Sequence, residues 1–471
     1  MNKLYRLQSI LFLVLLGLLP FNIRHIFNFE DISMLEGFRE HASWSLFAFD
    51  LFLIVLIILI VCEIYNTFAN SIKIDLTTYE IRSYSITRQY VLLLLKKPVT
   101  YFLVFLLISS YFSQHSTIAF YNSYRIILSA ALFMTALFLF QKRFSILSSA
   151  VCVVFFSGIF QSIITLFQFS VQHSLNLKLL GESVIAPNIL GVAKFEFASQ
   201  KFIRAYGTFP HPNILGFFLL LSLACGIWII IRYWHKKNYL SKVTLVLGSL
   251  FIIAGILLSY SRSIILSSFI LLSIILTAHR KKIASTYRFY CSKLKINPMF
   301  QGVVALIAVF ATLFIAFNLL VPRLCIRECA GDTSISLRMI YNEFACAIIA
   351  NHPFAGIGPG NFVPYLKDKF PQNFDPWEFQ PSHNMYLLIT AETGLLGLVA
   401  FLIVIASTIL RSRIKFNNII KNPFTIIFFL ILLISFVDHY FWTLPQGQML
   451  FWLSLAFFTA SSRIDKKVKM V

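Results

Sequence analysis

Charged residues are scarce in this chain. Asp, Glu, Lys and Arg make up 13% of its 471 residues, against roughly a quarter in soluble domains. Hydrophobic residues reach 58% and Phe alone occurs 51 times. A soluble reading of this length would predict about three domains, but no water-facing core hides so much apolar surface. Disordered, collagen-like and disulfide-built classes are excluded by the same composition. The seven cysteines are few and odd in number. Cys325 and Cys329, with Cys346 nearby, leave a disulfide and a small-apolar reading open. Without a second close pair they are weak evidence for zinc. No internal repeat is visible, so an inverted-repeat transporter gains no support, and there is no low-complexity tract.

What is present is a series of apolar runs of the length that crosses a bilayer, ~20 residues. Twelve are expected: 5–21, 46–64, 99–113, 123–141, 145–169, 211–232, 242–260, 262–279, 301–321, 384–410, 423–440 and 447–461. Lys3 and Arg6 precede the first run as in a signal peptide. No small-residue cleavage site follows, so it reads as a retained helix. With the N-terminus in the cytoplasm, inward segments hold more than twice as many Lys and Arg as outward ones. That asymmetry explains the net charge of +21 as topology rather than nucleic-acid binding. An even span count returns the C-terminus inside. The expected class is therefore an all-α, polytopic integral membrane protein with both termini cytoplasmic. A large extracytoplasmic loop, 322–383, lies between spans nine and ten. Within it, Leu337, Ile340, Tyr341, Phe344 and Ile348 have helical spacing and predict an amphipathic helix over 335–349.

The unusual polar residues gather on the outward side. They lie in Arg204-Ala-Tyr-Gly-Thr-Phe-Pro-His-Pro-Asn213, in the turn Ser259-Tyr-Ser-Arg-Ser263, and in Ser334-Ile-Ser-Leu-Arg-Met339. Further on come Asn351-His-Pro-Phe-Ala-Gly-Ile-Gly-Pro-Gly-Asn361, Ser382-His-Asn-Met-Tyr386 and Asp438-His-Tyr-Phe-Trp442. Arginine's planar fork suits phosphate oxygens, and an arginine in a membrane-level turn is expensive unless an anion meets it. His383 can accept a proton near neutral pH. These are the components for glycosyl or phosphoryl transfer onto a hydroxyl from a lipid-linked diphosphate.

Each component also has a plainer reading. Arg262 could snorkel to headgroups, and Arg338 could be a solvated face residue. His383 could be a helix-entry residue beside Ser382, a good N-cap. Gly356-Ile-Gly-Pro-Gly360 looks like a phosphate loop, but Pro359 and its outward location favour a turn. His211, His352, His383 and His439 are too scattered for a metal site. Glu392, nine residues past His383, falls on the opposite helix face and should not pair with it. Gly394 and Gly397 read as sites of close helix packing. Trp and Tyr of the Asp438 motif could stack on sugar or anchor at the interface.

Together these segments resemble the O-antigen ligase and O-antigen polymerase family of bacterial membrane glycosyltransferases. The match rests on Tyr206–Asn213, Ser259–Ser263, the Arg338 helix leading into Asn351–Gly358, and His383-Asn-Met-Tyr-Leu387 followed by Ala391-Glu-Thr-Gly-Leu-Leu-Gly397. It runs from about 200 to 400. The resemblance implies about twelve helices with a large outer loop. It implies transfer of a glycan from an undecaprenyl diphosphate carrier to an acceptor hydroxyl, without nucleotide, metal or other cofactor. It maps the catalytic base onto His383 and the diphosphate-contacting arginines onto Arg262 and Arg338. Arg204, His211, Asn213 and Tyr386, in or beside the same motifs, and His439, in the Asp438 motif, are the substrate-binding candidates. The expected organisation is an N-terminal helical region over residues 1–200, a catalytic region over 201–410 and C-terminal helices over 411–471. The expected partners are the lipid-linked glycan donor, a glycan or lipid acceptor and membrane lipids, with no nucleic acid. The expected place is the cytoplasmic membrane, with the active site extracytoplasmic. The alternative from another class is a transporter or flippase of lipid-linked glycans, which would spread charges along a central cavity. A non-catalytic scaffold explains the hydropathy but not an arginine in a tight membrane-level turn.

Overall fold

The computed structural model describes residues 3–27, 43–74, 98–197, 200–234, 238–294, 333–370, 378–412 and 419–467. Among the described residues it is built from helices, with two short pairs of antiparallel strands. The helices are α1 (Lys3–Leu18), α2 (Ala48–Ile74), α3 (Pro98–Tyr111), α4 (Ser116–Lys142), α5 (Phe144–Val171), α6 (Pro212–Tyr233), α7 (Tyr239–Leu258) and α8 (Arg262–Leu294). They continue with α9 (Thr333–Asn351), α10 (Phe362–Lys369), α11 (Met385–Ser412), α12 (Pro423–Ile434), α13 (Tyr440–Thr443) and α14 (Pro445–Lys467). The strands β1 (Arg24–Phe27) and β2 (Trp44–Phe47) pair with each other, as do β3 (Lys194–Phe197) and β4 (Gln200–Ile203).

Among the described residues seven helices are long and apolar enough to cross a membrane. They are α2, α4, α5, α6, α7, the first 21 residues of α8, and α11. The chain is thus a multi-pass membrane protein. Four other expected spans fall on α1, α3, α12 and α14, and the ninth, 301–321, lies outside the described residues. The expected run 423–440 is cut at Ile434, because the chain turns over 435–437 and Ser435 spends its carbonyl on Met385 N (2.8 Å). The amphipathic helix expected over 335–349 is present as α9.

The chain divides into two units: residues 1–153, 336–413 and 431–471, and residues 154–335 and 414–430. In the first unit α14 packs on α4, α1 on α2, and α3 lies between α4 and α11. Arg125, two residues into the expected span 123–141 and so at its edge by sequence, lies inside α4 and is 1% exposed. It pairs there with Asp50, whose carboxylate also accepts Phe47 N (2.9 Å) and so closes the first turn of α2. The rings of Phe47 and Phe49 flank the guanidinium at 4.9 and 5.9 Å. In the second unit α6 packs between α7 and α8, and Ser222 of α6 donates to Val154 O of α5 (3.1 Å). α6 is nearly all buried, which its uninterrupted apolar sequence requires.

Candidate functional site

In the first unit the site residues are brought together by the entry to α11. Asn384 Oδ1 accepts Tyr386 N (3.0 Å) and Leu387 N (3.2 Å). Asn384 is therefore the cap, not Ser382, and His383 stands just before the helix. Ser382 instead donates to Asn342 Oδ1 of α9 (2.7 Å), which ties this entry to the helix that carries Arg338. Tyr341, one turn of α9 away, lies parallel to the His383 ring with centroids 6.2 Å apart. Its hydroxyl donates to Glu378 O. From the other side His439 meets His383 edge to face, centroids 4.9 Å apart, and its Nδ1 is 2.8 Å from Thr443 Oγ1.

This enclosure sets the electrostatics. Burial lowers the His383 pKa to about 4, and the Arg338 charge pushes the same way, while the Pro381 carbonyl opposes both. The imidazole is therefore neutral at pH 7. Its Nδ1 and the Nε of Arg338 are buried with no hydrogen-bond partner among the described residues. A neutral ring with an open nitrogen beside a cation can take a proton while an anion neutralises the arginine. Tyr341, by contrast, is raised to about 12 by burial and by Glu378, so it stays a neutral hydroxyl.

The segment 351–361 is a turn rather than a phosphate loop. Gly356, Gly358 and Gly360 all have positive φ, and the loop's amides are spent on the protein: Ile357 N on Ala391 O (3.1 Å) and Gly358 N on Glu392 O (2.7 Å). The loop docks where α11 breaks at Gly394, with φ 69° and ψ 178°. Gly394 is thus a break that receives Leu395 N on Pro353 O (2.8 Å), not simply a helix-packing glycine. Glu392, as expected, does not pair with His383. Its buried carboxylate accepts Trp442 Nε1 (2.6 Å) and the amides of Phe362 (3.4 Å) and Gly360. Trp442 is 5% and Tyr440 1% exposed. Both proposed roles for these rings, sugar stacking and interfacial anchoring, are therefore replaced by core packing. Tyr386 is also committed: its hydroxyl donates to Leu432 O (2.9 Å) and its ring packs on Phe436.

In the second unit Arg204 links two motifs. Its Nε donates to Ser259 O (2.9 Å) and its Nη2 to Asn213 Oδ1. His211 caps α6, accepting Asn213 N on Nδ1 (3.2 Å), with Pro212 at the first helical position. Arg262, the first residue of α8, is exposed, and no described carboxylate pairs with it. A cation there opposes the positive end of the helix dipole, which an anion would relieve. Tyr260 before it holds φ 49°, stacked on Phe195 at 3.8 Å.

Two residues that hold this site were missed in the sequence. Gln168 accepts Tyr206 N (3.1 Å) and Gly207 N (2.8 Å), and donates to Gly207 O (2.8 Å) and to Glu182 (2.7 Å). Gln161 accepts Thr208 N (3.0 Å) and donates to Thr208 Oγ1 (2.8 Å). Their signal was a polar stripe, Gln161, Thr165 and Gln168, on one face of an apolar helix. Among the described residues no three His, Cys, Asp or Glu side chains form a metal-holding group. Cys346 is exposed and free, and Cys325 and Cys329 lie outside the described residues.

Curated proteins give no match to this chain. A family model described as O-Antigen ligase matches residues 247–402. The matched stretch holds Arg262, Arg338, His383, Tyr386 and the Glu392–Gly394 break, and so covers much of the geometry above. Through residues 247–402, about a third of its length, this multi-pass membrane protein is similar to the O-antigen ligase family.

Proposed function

We propose that the chain moves a glycan from an undecaprenyl diphosphate carrier to an acceptor hydroxyl at the outer face of the cytoplasmic membrane. The observation that carries the reading is His383: a neutral, largely enclosed imidazole with an open Nδ1 beside Arg338, inside the matched stretch. The acceptor hydroxyl gives its proton to His383 as its oxygen attacks the anomeric carbon. The bond from that carbon to the phosphate oxygen breaks, and undecaprenyl diphosphate departs with the electron pair. Arg338 and Arg262 stabilise the departing charge, a kind of term that is often the largest in catalysis. Inversion at the anomeric carbon follows from a single displacement. Arg204, His211 and Asn213 support the donor side through the Tyr206–Asn213 motif, and His439 orients His383. Tyr386 stands as a substrate contact only through its ring edge, since its hydroxyl is used by Leu432 and its amide by Asn384. The proposed topology keeps twelve spans with both termini in the cytoplasm and a catalytic region over 201–410.

The bound diphosphate is an anion beside Arg338, so it offsets the arginine's effect and makes His383 a stronger base when donor is present. The test is transfer by reconstituted protein from an undecaprenyl-diphosphate-linked oligosaccharide, with and without chelator. A lengthened lipid-linked product identifies a polymerase, and transfer to another acceptor a ligase. No transfer, with lipid instead moved between leaflets, replaces this reading with the transporter.

A further inference from the structure

The segment between α5 and β3 has its polar and apolar sides reversed relative to a loop in water. Its acidic side chain is turned inward. Glu182 is 9% exposed and takes the amides of Leu175 and Leu177 (2.7 Å each) together with Gln168 Nε2. Ile185 is buried too, packed with Ile203 and Tyr206. The outward side carries Leu179 at 91%, Leu190 at 69% and Val184 at 68% exposure. Leu179 sits on a single tight turn, 178–180, closed by Gly181 in the left-handed region. One exposed leucine means little. Three such apolar side chains around a buried carboxylate, on a loop that its own hydrogen bonds hold in shape, need an apolar surround.

We propose that residues 175–190 form an interfacial anchor whose Leu179, Val184 and Leu190 enter the lipid leaflet at this end of α5. Continuity argues for lipid as the occupant. The loop follows directly from a membrane-spanning helix whose last turns already expose Phe167 (60%) and Val171 (42%), so its apolar side extends that lipid face. Lys178, within the loop itself, is exposed and suits the phosphates of lipid headgroups. Through Glu182, Gln168 and Ile185 the anchor is fastened to the Tyr206–Asn213 motif. It thereby sets the depth at which Arg204 and that motif meet the headgroup layer.

The test uses full-length protein in vesicles of phosphatidylcholine and phosphatidylglycerol that contain no polyprenyl lipid. Leu179→Trp and Leu190→Trp are made singly, and the emission each adds over wild type is measured. Expected is loss of most of the added emission when the lipid acyl chains are brominated, with little quenching by aqueous iodide. Both reporters quenched by iodide and spared by bromolipid would overturn the proposal. Protection from both quenchers would also overturn it, pointing to a second copy or another protein on this surface. Adding Leu179→Lys to the Leu190→Trp variant gives a second reading in correctly folded protein. The introduced charge should lift the loop from the leaflet, so that the reporter at position 190 loses its bromolipid quenching and becomes open to iodide. Unchanged protection at that position would likewise count against insertion. None of these outcomes depends on glycan transfer, so the anchor can fail while the proposed function stands.

Discussion

The rings of His383 and His439, 56 residues apart in the sequence, meet edge to face with centroids 4.9 Å apart and planes at 83°. This contact closes one side of His383, and Tyr341 closes another. Burial, then Arg338, lower its pKa to about 4 from the ordinary 6.5. The sign follows directly. An unfolded chain takes up this proton near pH 6.5 and the native one only near 4, so stability from this group falls as pH drops through that window. For catalysis, kcat/KM should stay flat on acidification until about pH 4, while kcat, measured with diphosphate bound, should fall at a higher pH. Arg338→Gln should move the kcat/KM limb upward. A limb at pH 6–6.5 in the wild-type kcat/KM would contradict the enclosure of His383.

The arginines of the second unit should separate by experiment. Arg204 spends its guanidinium on Ser259 O and Asn213. Arg204→Ala should therefore cost about 1–3 kcal/mol and lower the Tm of the detergent-solubilised protein. Arg262 is exposed at a helix N-terminus, where a cation is mildly unfavourable, by about 0.3–1 kcal/mol. Arg262→Ala should leave the Tm unchanged or slightly raised while raising the KM for donor. Equal Tm losses in both variants would mean that Arg262 is structural.

Gln168 holds both sides of Gly207 and the amide of Tyr206. Gln168→Leu fills similar space but strands those groups in a buried place. We expect a loss of about 1–3 kcal/mol for the unsatisfied groups, read as a lower Tm, and proteolysis that begins near 206–208. A neutral effect would show that the motif holds its shape without α5.

Gly394 is required twice over. Its φ of 69° with ψ near 180° belongs to a region almost confined to glycine, costing another residue about 1–3 kcal/mol. A Cβ there would also lie 2.1 Å from Phe354 O, a backbone atom that cannot swing away. Gly394→Ala should lower the Tm by more than Gln168→Leu and loosen the 353–362 loop, measured by hydrogen exchange at Ile357 and Gly358. Unchanged protection there would contradict the docking of this loop on α11.

Much of the fold was legible because hydropathy acts on each span locally. The runs at 145–169, 211–232 and 242–260 reappear as α5, α6 and α7, and the spacing of Leu337 to Ile348 found α9. What could not be read is what depends on distant partners. Asn384 and Ser382 are equally good caps in isolation, and only Asn342 on α9 decides between them. Trp442 looks like an interfacial aromatic until Glu392, 50 residues away, takes its N–H. Arg125 looks like an edge residue until Asp50 on another helix pairs with it. Of the site, the motifs carrying His383, Arg262 and Arg338 were visible, whereas the glutamines of α5 and the contact of His383 with His439 were not. A hydrogen bond between helices leaves no periodicity in either sequence.

The most direct test is the ability of His383 to take a proton from the acceptor. Wild type and His383→Ala would be reconstituted side by side with undecaprenyl-diphosphate-linked oligosaccharide and host acceptor, and product measured by mass. A positioned general base contributes typically 10²–10⁴-fold. The account predicts a loss of that size in His383→Ala at unchanged Tm and abundance. Transfer within a few-fold of wild type in the folded variant would contradict it.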